Sequence, residues 1–456
     1  MTASLRGRPG TVPARLRLLR TTALAACAAL AAVLLAGGAS ADDSWSAIRT
    51  HSAPQVTSAA GLYFALSDMD AQVANRLLTP GGGDAARIYG QRRSAAAGYL
   101  RDLAEAAAGD PAAEREVAAA IRDFGRYEER AARALLLGER SDRAAVDAYR
   151  SASDLMRTRL LPEADVLVTV NDASFERAYG HAYDRAGAVR TVVVCTGLLL
   201  LAVLVVLQFF LASRFRRVVS TALAAATLIA PAATAAGTVG LGAQRDDLKV
   251  ARRDAFDSVL ALTRARAVAY DANADESRYL LDRAHAAGHE ADFLDKSQGL
   301  ARLPGVASVD DYDPALARAL DAYRADPADL RFTGFLGDEF RNITFPGERA
   351  AAERALLRYQ VYERDDRTIR ALAEAGRLPA AVAYGTGYGP GESNHDFAAF
   401  DQALGEVIAI NSAAYERAAA DGADRALTVP LGLAGALVAA AALVVLGLRP
   451  RLAEFR

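Results

Sequence analysis

Four apolar stretches, 21–41, 189–212, 218–241 and 427–448, each hold the roughly 20 residues that a helix needs to cross a bilayer. Apart from Arg190 at the edge of the second, they carry no charge. Val192-Val193-Val194 and Leu198 to Leu207 make the second stretch the strongest, while Pro231 interrupts the third. The rest of the chain becomes a leader 1–20, a segment 42–188, a turn 213–217, a segment 242–426 and a tail 449–456.

Basic residues set the orientation, because Lys and Arg in short flanking segments stay in the cytoplasm. Arg6, Arg8, Arg15, Arg17 and Arg20 precede the first stretch. Arg214, Arg216 and Arg217 fill the turn, and Arg449, Arg451 and Arg456 follow the last stretch. All three clusters put both termini in the cytoplasm of a plasma-membrane protein and both large segments outside. The first stretch has a rival reading as a cleaved signal peptide ending at Ala39-Ser40-Ala41. Anchoring of the second segment at both ends favours four spans.

The two outer segments are copies of one plan. Asn171-Asp172-Ala173-Ser174-Phe175-Glu176-Arg177-Ala178 stands before the second stretch, and Asn411-Ser412-Ala413-Ala414-Tyr415-Glu416-Arg417-Ala418 before the fourth. Asp68 to Leu78 pairs with Asp271 to Leu281, and Phe124-x-x-Tyr127-Glu128 with Tyr359-x-x-Tyr362-Glu363. The order is kept while loop lengths differ. Such a repeat must be recognised before the fold is assigned. Leu66, Met69, Val73 and Leu77 recur at helical spacing, and Gly and Pro cut the first copy into about four helices. The expected fold is therefore an all-α membrane protein with four transmembrane helices and two duplicated extracytoplasmic four-helix bundles.

With a net charge of −2 the chain has no nucleic-acid footprint. Cys27 and Cys195 both fall inside spans, so the outer segments hold no disulfide and no thiolate metal site. Trp45 reads as a membrane-interface anchor.

Candidate sites each carry two readings. Asp68, Gln72 and Asn75, with their counterparts Asp271, Asp275 and Arg278, share one helix face. That stripe is a solvated face, or it lies at a helix interface and binds a small polar ligand or holds one of two packings. Asn171 and Asn411 cap or lock helix packing, with Phe175 and Tyr415 as core positions beside Glu176 and Glu416. The stretch 301–349 mixes Gly and Pro with Phe332, Phe335, Phe340 and Phe345 and reads as a long ordered loop. Its aromatics either dock a partner or fold onto their own bundle. His285 and His289 have the spacing of a helical metal pair near Glu290 and Asp292, but Gly288 and the lack of a third ligand favour a solvated helix end.

No phosphate-cradling loop, nucleophile elbow or metal-helix motif is present, so neither an enzyme nor a cofactor is expected. With almost nothing inside the cell, such a chain receives a signal outside and needs a separate cytoplasmic reader. Packed helices can relay it by small shifts. Gly237, Gly240 and Gly242 in span three, with Gly432, Gly435 and Ala436 in span four, suit close helix packing.

Tyr63-Phe64-Ala65-Leu66-Ser67-Asp68-Met69-Asp70-Ala71-Gln72-Val73-Ala74-Asn75 and Tyr270-Asp271-Ala272-Asn273-Ala274-Asp275-Glu276-Ser277-Arg278-Tyr279, within this frame, resemble an actinobacterial family of four-span membrane proteins. Members of that family link a glutamine-binding lipoprotein to the cytoplasmic serine/threonine protein kinase G. The resemblance implies extracytoplasmic sensing of an amino acid, directly or through a solute-binding lipoprotein, relayed to the kinase. The bundle plan also looks like the periplasmic four-helix domains of chemoreceptors and sensor kinases. The alternative is a non-switching scaffold of an envelope complex. Packing of the bundles on each other or in a homodimer is open at this point.

Overall fold

The computed structural model describes residues 12–81, 83–140, 143–215 and 220–453. Arg6, Arg8, Arg216, Arg217 and Arg456, three of them from the leader and tail, lie outside the described residues. Among the described residues the chain is helical, with a single isolated bridge between Arg302 and Thr333.

The first half runs through α1 (Val12–Ala47), a π-helical turn Ile48–Ser52, then α2 (Ala53–Leu78), α3 (Gly83–Ala107), α4 (Pro111–Glu139) and α5 (Ala144–Leu155). A second π turn, Met156–Leu160, leads into α6 (Leu161–Phe215). The second half repeats this with α7 (Thr221–Lys249), a π turn Val250–Phe256 and α8 (Asp257–Leu281). It continues with α9 (Ala286–Leu300), α10 (Val309–Ala325), α11 (Gly334–Asn342), α12 (Glu348–Glu374), α13 (Leu378–Thr386) and α14 (Ser393–Ala453).

Local chemistry sets these limits. The Asp110 carboxylate accepts from the backbone N–H groups of Ala112 (2.9 Å) and Ala113 (3.3 Å), with Pro111 at the first helical position of α4. Ser308 accepts from Asp311 N at the start of α10. Gly334 opens α11 at φ +80, where a Cβ would sit 2.6 Å from the Gly299 carbonyl oxygen, so the turn admits only glycine.

Four helical stretches, Val12–Leu78, Ala144–Ser213, Thr221–Leu281 and Ser393–Pro450, are long and apolar enough to cross a membrane. The chain divides into two compact units. One gathers Met1–Arg49, Glu176–Ala251 and Glu416–Arg456. Its core interleaves Leu30 and Leu34 of α1, Leu200 and Leu204 of α6, Ala226 and Ala230 of α7, and Leu437 and Val444 of α14. Small residues permit the close approach. A Cβ on Gly38 would lie 2.6 Å from the Ala426 carbonyl oxygen, and one on Gly237 would lie 2.8 Å from Leu34. Gly242, Gly432 and Gly435 face open space instead, so they do not serve the packing expected of them. Trp45 is 1% exposed, and its ring takes the space a Cβ on Gly422 would need. It is buried within the protein, whereas the expected anchor would keep its ring free to face lipid.

The other unit joins Thr50–Phe175 to Arg252–Tyr415. Both copies therefore build one body, with α2 packed along α8. The repeat motifs 171–178 and 411–418 each straddle a boundary between units. The stretch 301–349 is not a loop. It contains α10 and α11, and the paired backbone of Arg302 and Thr333 closes it. Phe332 and Phe340 turn inward, with ring centroids 5.4 Å apart, and Tyr323 meets Phe340 edge-on at 5.0 Å. The Gly- and Pro-rich spelling marks the turns between short helices, while the aromatics supply a core that the second copy needs for its extra layer.

Candidate functional site

Helices α2 and α8 are buried around most of their circumference from Ala59 to Asn75 and from Ala269 to Leu280. A helix buried on every side is normally apolar. These two instead carry Asp68, Asp70, Gln72 and Asn75 on one and Asp271, Asn273, Asp275, Glu276 and Arg278 on the other, none more than 7% exposed. Buried charges must be paired and hydrogen-bonded.

Arg278 meets that need. Its Nη2 donates to Asp70 Oδ2 at 2.5 Å and to Asp271 Oδ1 at 3.2 Å, and its Nη1 donates to Asp275. Asp70 also accepts from the Tyr127 hydroxyl (3.0 Å), the Ser153 hydroxyl (2.9 Å) and the Tyr149 hydroxyl (3.3 Å). Lys296 of α9 supplies the second cation, 2.7 Å from Asp271 and also paired with Asp275. Burial alone would raise the Asp271 carboxyl, but Lys296 and Arg278 bring it down to about 2. The Asn75 carbonyl accepts from the Ser277 hydroxyl at 2.7 Å, tying the two helices together.

Asp68 lies deeper. It accepts from Arg92 Nε at 2.5 Å and from Gln72 Nε2 at 2.8 Å. The Phe64 ring is flanked by the guanidinium groups of Arg92 (4.5 Å) and Arg266 (4.4 Å), and Arg266 grips Asp401 through two bonds of 2.5 and 2.7 Å. All six residues of the polar stripe are thus interior. A solvated face is excluded because neighbouring helices of the same copy, with Arg92 and Lys296, and the opposing helix of the other copy cover it. Around the rim, Arg150 clasps Asp282 at 2.9 Å twice, and Arg157 meets Asp292 at 2.6 Å.

A second polar cluster belongs to copy two. Arg370 and Asp366 of α12 pair at 2.7 and 2.9 Å, with the guanidinium over the Tyr279 ring at 4.5 Å. Glu276 accepts from the Ser393 hydroxyl at 3.2 Å. Burial, with Asp366 nearby, holds Glu276 far above the usual carboxylate range. Glu363, buried and accepting from the Ser297 hydroxyl at 2.8 Å, is pushed up to about 8.

The repeat motifs hold the base of this unit. Phe256 lies against Phe175 (4.7 Å, edge-on) and Tyr415 (5.4 Å), so the aromatic positions of both motifs meet one ring. Arg252 covers Phe175 at 4.9 Å and pairs with Asp172 at 2.8 Å. Asn411 is fully buried and donates to Glu348 Oε1 at 2.7 Å, locking α14 to the start of α12. Asn171, half-buried, donates to the Leu167 carbonyl of its own helix at 2.8 Å. Glu176 is half-buried and Glu416 exposed. Replacing Asn411 by Ala is expected to cost about 1.5–3 kcal/mol, because it strips a donor from a buried carboxylate. The same change at Asn171 should cost under about 1 kcal/mol. Thermal melts of the two variants compare them directly.

Of the four phenylalanines offered for docking, Phe332 and Phe340 are buried, and Phe335 and Phe345 are half-buried. Phe335 packs against the same core. The docking-patch reading fails for the buried pair, since their rings have no free face. Asp275, His289 and Asp292 bring ligand atoms within 4.8 Å of one another. Their carboxylates already hold Arg278, Lys296 and Arg157, so the group does not fit a metal cation. His285 turns instead to Asp282, with Nδ1 at 3.1 Å.

Sequence reasoning passed over Asp70, Lys296 and Arg157. Asp70 was within reach, two residues from Asp68 on a helix whose neighbours were singled out. Lys296 is one of two lysines in the chain, and its rarity is the sole signal that marked it.

With this geometry in view, one comparison with known families bears on the first copy. Residues 44–180 match the actinobacterial sensor domain family. No curated protein and no solved structure matches the chain. The sensor-domain match covers the first copy from the end of α1 into α6, including Asp68, Asp70 and the motif at 171–178. That match points to a sensing or signalling role. The sensor-domain match and four helices long and apolar enough to cross a bilayer together point to a membrane protein.

Proposed function

We propose that the protein is a transmembrane signal-relay receptor with both termini in the cytoplasm and both copies outside. It senses an extracytoplasmic amino acid, directly or through a solute-binding lipoprotein, and passes the signal by helix shifts to a cytoplasmic serine/threonine kinase. One observation carries this reading: the two copies meet through a buried set of charges centred on Arg278, which touches Asp70, Asp271 and Asp275 at once. Buried ionic groups are poor sources of stability but good selectors of register. A small slide of α2 along α8 would exchange one set of partners for another, and shifts of about 1–2 Å between packed helices are a known switching mode. All four helical stretches, Val12–Leu78, Ala144–Ser213, Thr221–Leu281 and Ser393–Pro450, contribute residues to both compact units, so each can carry such a shift.

The test is capture of partners by the detergent-solubilised full chain, with and without added L-glutamine, L-glutamate or L-aspartate. Ligand-dependent recovery of a binding lipoprotein, with a kinase in the same complex, is the expected result. Identical recovery in all conditions would replace the relay with a non-switching scaffold.

A further inference from the structure

Where the short helix α11 meets the start of α12, two carboxyl groups are buried side by side. Glu339 is 3% exposed and Glu348 fully buried. Three donors converge on Glu348: the backbone N–H groups of Thr344 (2.6 Å) and Phe345 (2.8 Å) on Oε2, and Asn411 Nδ2 (2.7 Å) on Oε1. Neither oxygen of Glu339 has a hydrogen-bond partner, although Glu348, Ser258 and Asn411 stand around it. The arginines closest in sequence turn elsewhere. Arg341 pairs with Asp338 at 3.1 Å, and Arg349 donates to the Tyr323 hydroxyl at 2.6 Å. Among the described residues no basic side chain pairs with either glutamate.

A carboxylate buried without a counter-charge is not a stable arrangement. Glu339 must keep a proton, as burial and Glu348 make it do up to about pH 8, or meet a cation. The neutral atoms nearby favour the cation. The Asn411 amide is fully buried, with Nδ2 engaged by Glu348 and by the Val407 carbonyl at 3.2 Å, and its Oδ1 is left without a donor. Ser258, which accepts from Asn342 Nδ2 at 2.8 Å, adds a hydroxyl oxygen beside Glu339. A proton on Glu339 would match one of its oxygens and leave the other, and Asn411 Oδ1, unmatched.

We propose that Glu339 and Glu348 bind a calcium ion, with Asn411 Oδ1 and the Ser258 hydroxyl as neutral ligands. Two carboxylates match a divalent cation in charge, and the lack of nitrogen and sulfur donors selects a hard cation over zinc or copper. Magnesium keeps several of its waters, for which these enclosed side chains leave little room, whereas calcium accepts flexible shells of about 6–8 oxygens. On binding, Glu339 releases its proton to solvent and both its oxygens become available to the ion. The site joins α8, α11, α12 and α14 and belongs to the second copy alone. Asn171, the counterpart of Asn411, donates to the Leu167 carbonyl of its own helix instead. The site stands apart from the amino-acid reading above, and neither depends on the other.

The test uses the full chain in phosphatidylcholine nanodiscs, stripped with EGTA and titrated with calcium or magnesium chloride by calorimetry and thermal melts. One saturable calcium site that raises the melting temperature is expected, with magnesium bound at least about tenfold more weakly. Glu339→Gln, a neutral near-isostere, should weaken calcium binding by at least about 100-fold, the upper end of what loss of a mere supporting partner costs. The stripped variant should melt no lower than the stripped wild type. Asp338→Asn removes an exposed acid from the same helix and should leave binding unchanged. Amide exchange of the wild type with and without calcium needs no variant: added protection should centre on 339–348 and on α14 around Asn411. Absence of a calcium response, tighter binding of magnesium, a response that survives Glu339→Gln or is equally lost in Asp338→Asn, or protection confined to other segments would each overturn the proposal.

Discussion

Replacing Arg278 by Met is expected to lower the stability of the protein by about 3–5 kcal/mol, the usual cost of removing one partner from a buried ion pair. Methionine roughly fills the space but leaves Asp70, Asp271 and Asp275 without the guanidinium that all three share. Lys296 still reaches Asp271 and Asp275, so the carboxylate stranded most completely is Asp70. Its remaining partners are the hydroxyls of Tyr127, Tyr149 and Ser153, which are neutral. For a body of this size the change should lower the melting temperature by about 10 °C. Asp70→Asn in the same chain should restore part of the loss, because it removes the stranded charge. A cost below about 1 kcal/mol, or no recovery in the double variant, would show that Arg278 does not hold the copies together.

The second large effect is on pH. Glu363 is held protonated in the folded protein up to about pH 8, against an ordinary value of 4.5. Between those limits the unfolded chain ionises and the folded one does not. Stability is therefore full at acid pH and falls as pH rises towards 8, by on the order of 4 kcal/mol from this group. Glu339, pushed up to about 8 by burial and by Glu348, acts in the same direction. Asp271 and Asp282, both at about 2, act in the opposite sense: their contribution is present above about pH 4 and is lost as pH drops towards 2. The melting temperature should peak near pH 4–5 and decline towards pH 8. Glu363→Gln should flatten that decline, since glutamine keeps the Ser297 hydrogen bond without a proton to lose. A wild-type curve level between pH 5 and 8, or an equal slope in the variant, would count against a buried neutral Glu363.

How legible all this was depends on which physical signal each part carries. The spans and the helices were readable, because apolar length and three-and-four spacing are imposed locally. The duplication was readable from Phe175 and Tyr415 with their shared neighbours, which one ring, Phe256, now explains. The stripe of Asp68, Gln72, Asn75, Asp271, Asp275 and Arg278 was legible as a face but not as an interior one. A row of charges has the same spelling whether water or an opposing row of charges satisfies it. Phe332 and Phe340 posed the same ambiguity from the apolar side, since an aromatic among glycines serves a partner or its own core alike. The π turns left no trace, because one extra residue in a turn shifts the phase of a pattern without changing its composition.

The asymmetry between the equivalent helices has a consequence for how such a chain can evolve. Asp70 has Asn273 as its counterpart, and Arg278 has Asn75, so each copy keeps one member of a charge pair that its sibling has given up. Two first copies brought together would bury two Asp70 carboxylates with no guanidinium between them. Two second copies would set Arg278 against Asn273. The halves are not interchangeable, since each supplies a charged group that the other lacks. Each copy expressed alone is expected to leave its half of the buried charge network, Asp70 or Arg278, without its partner.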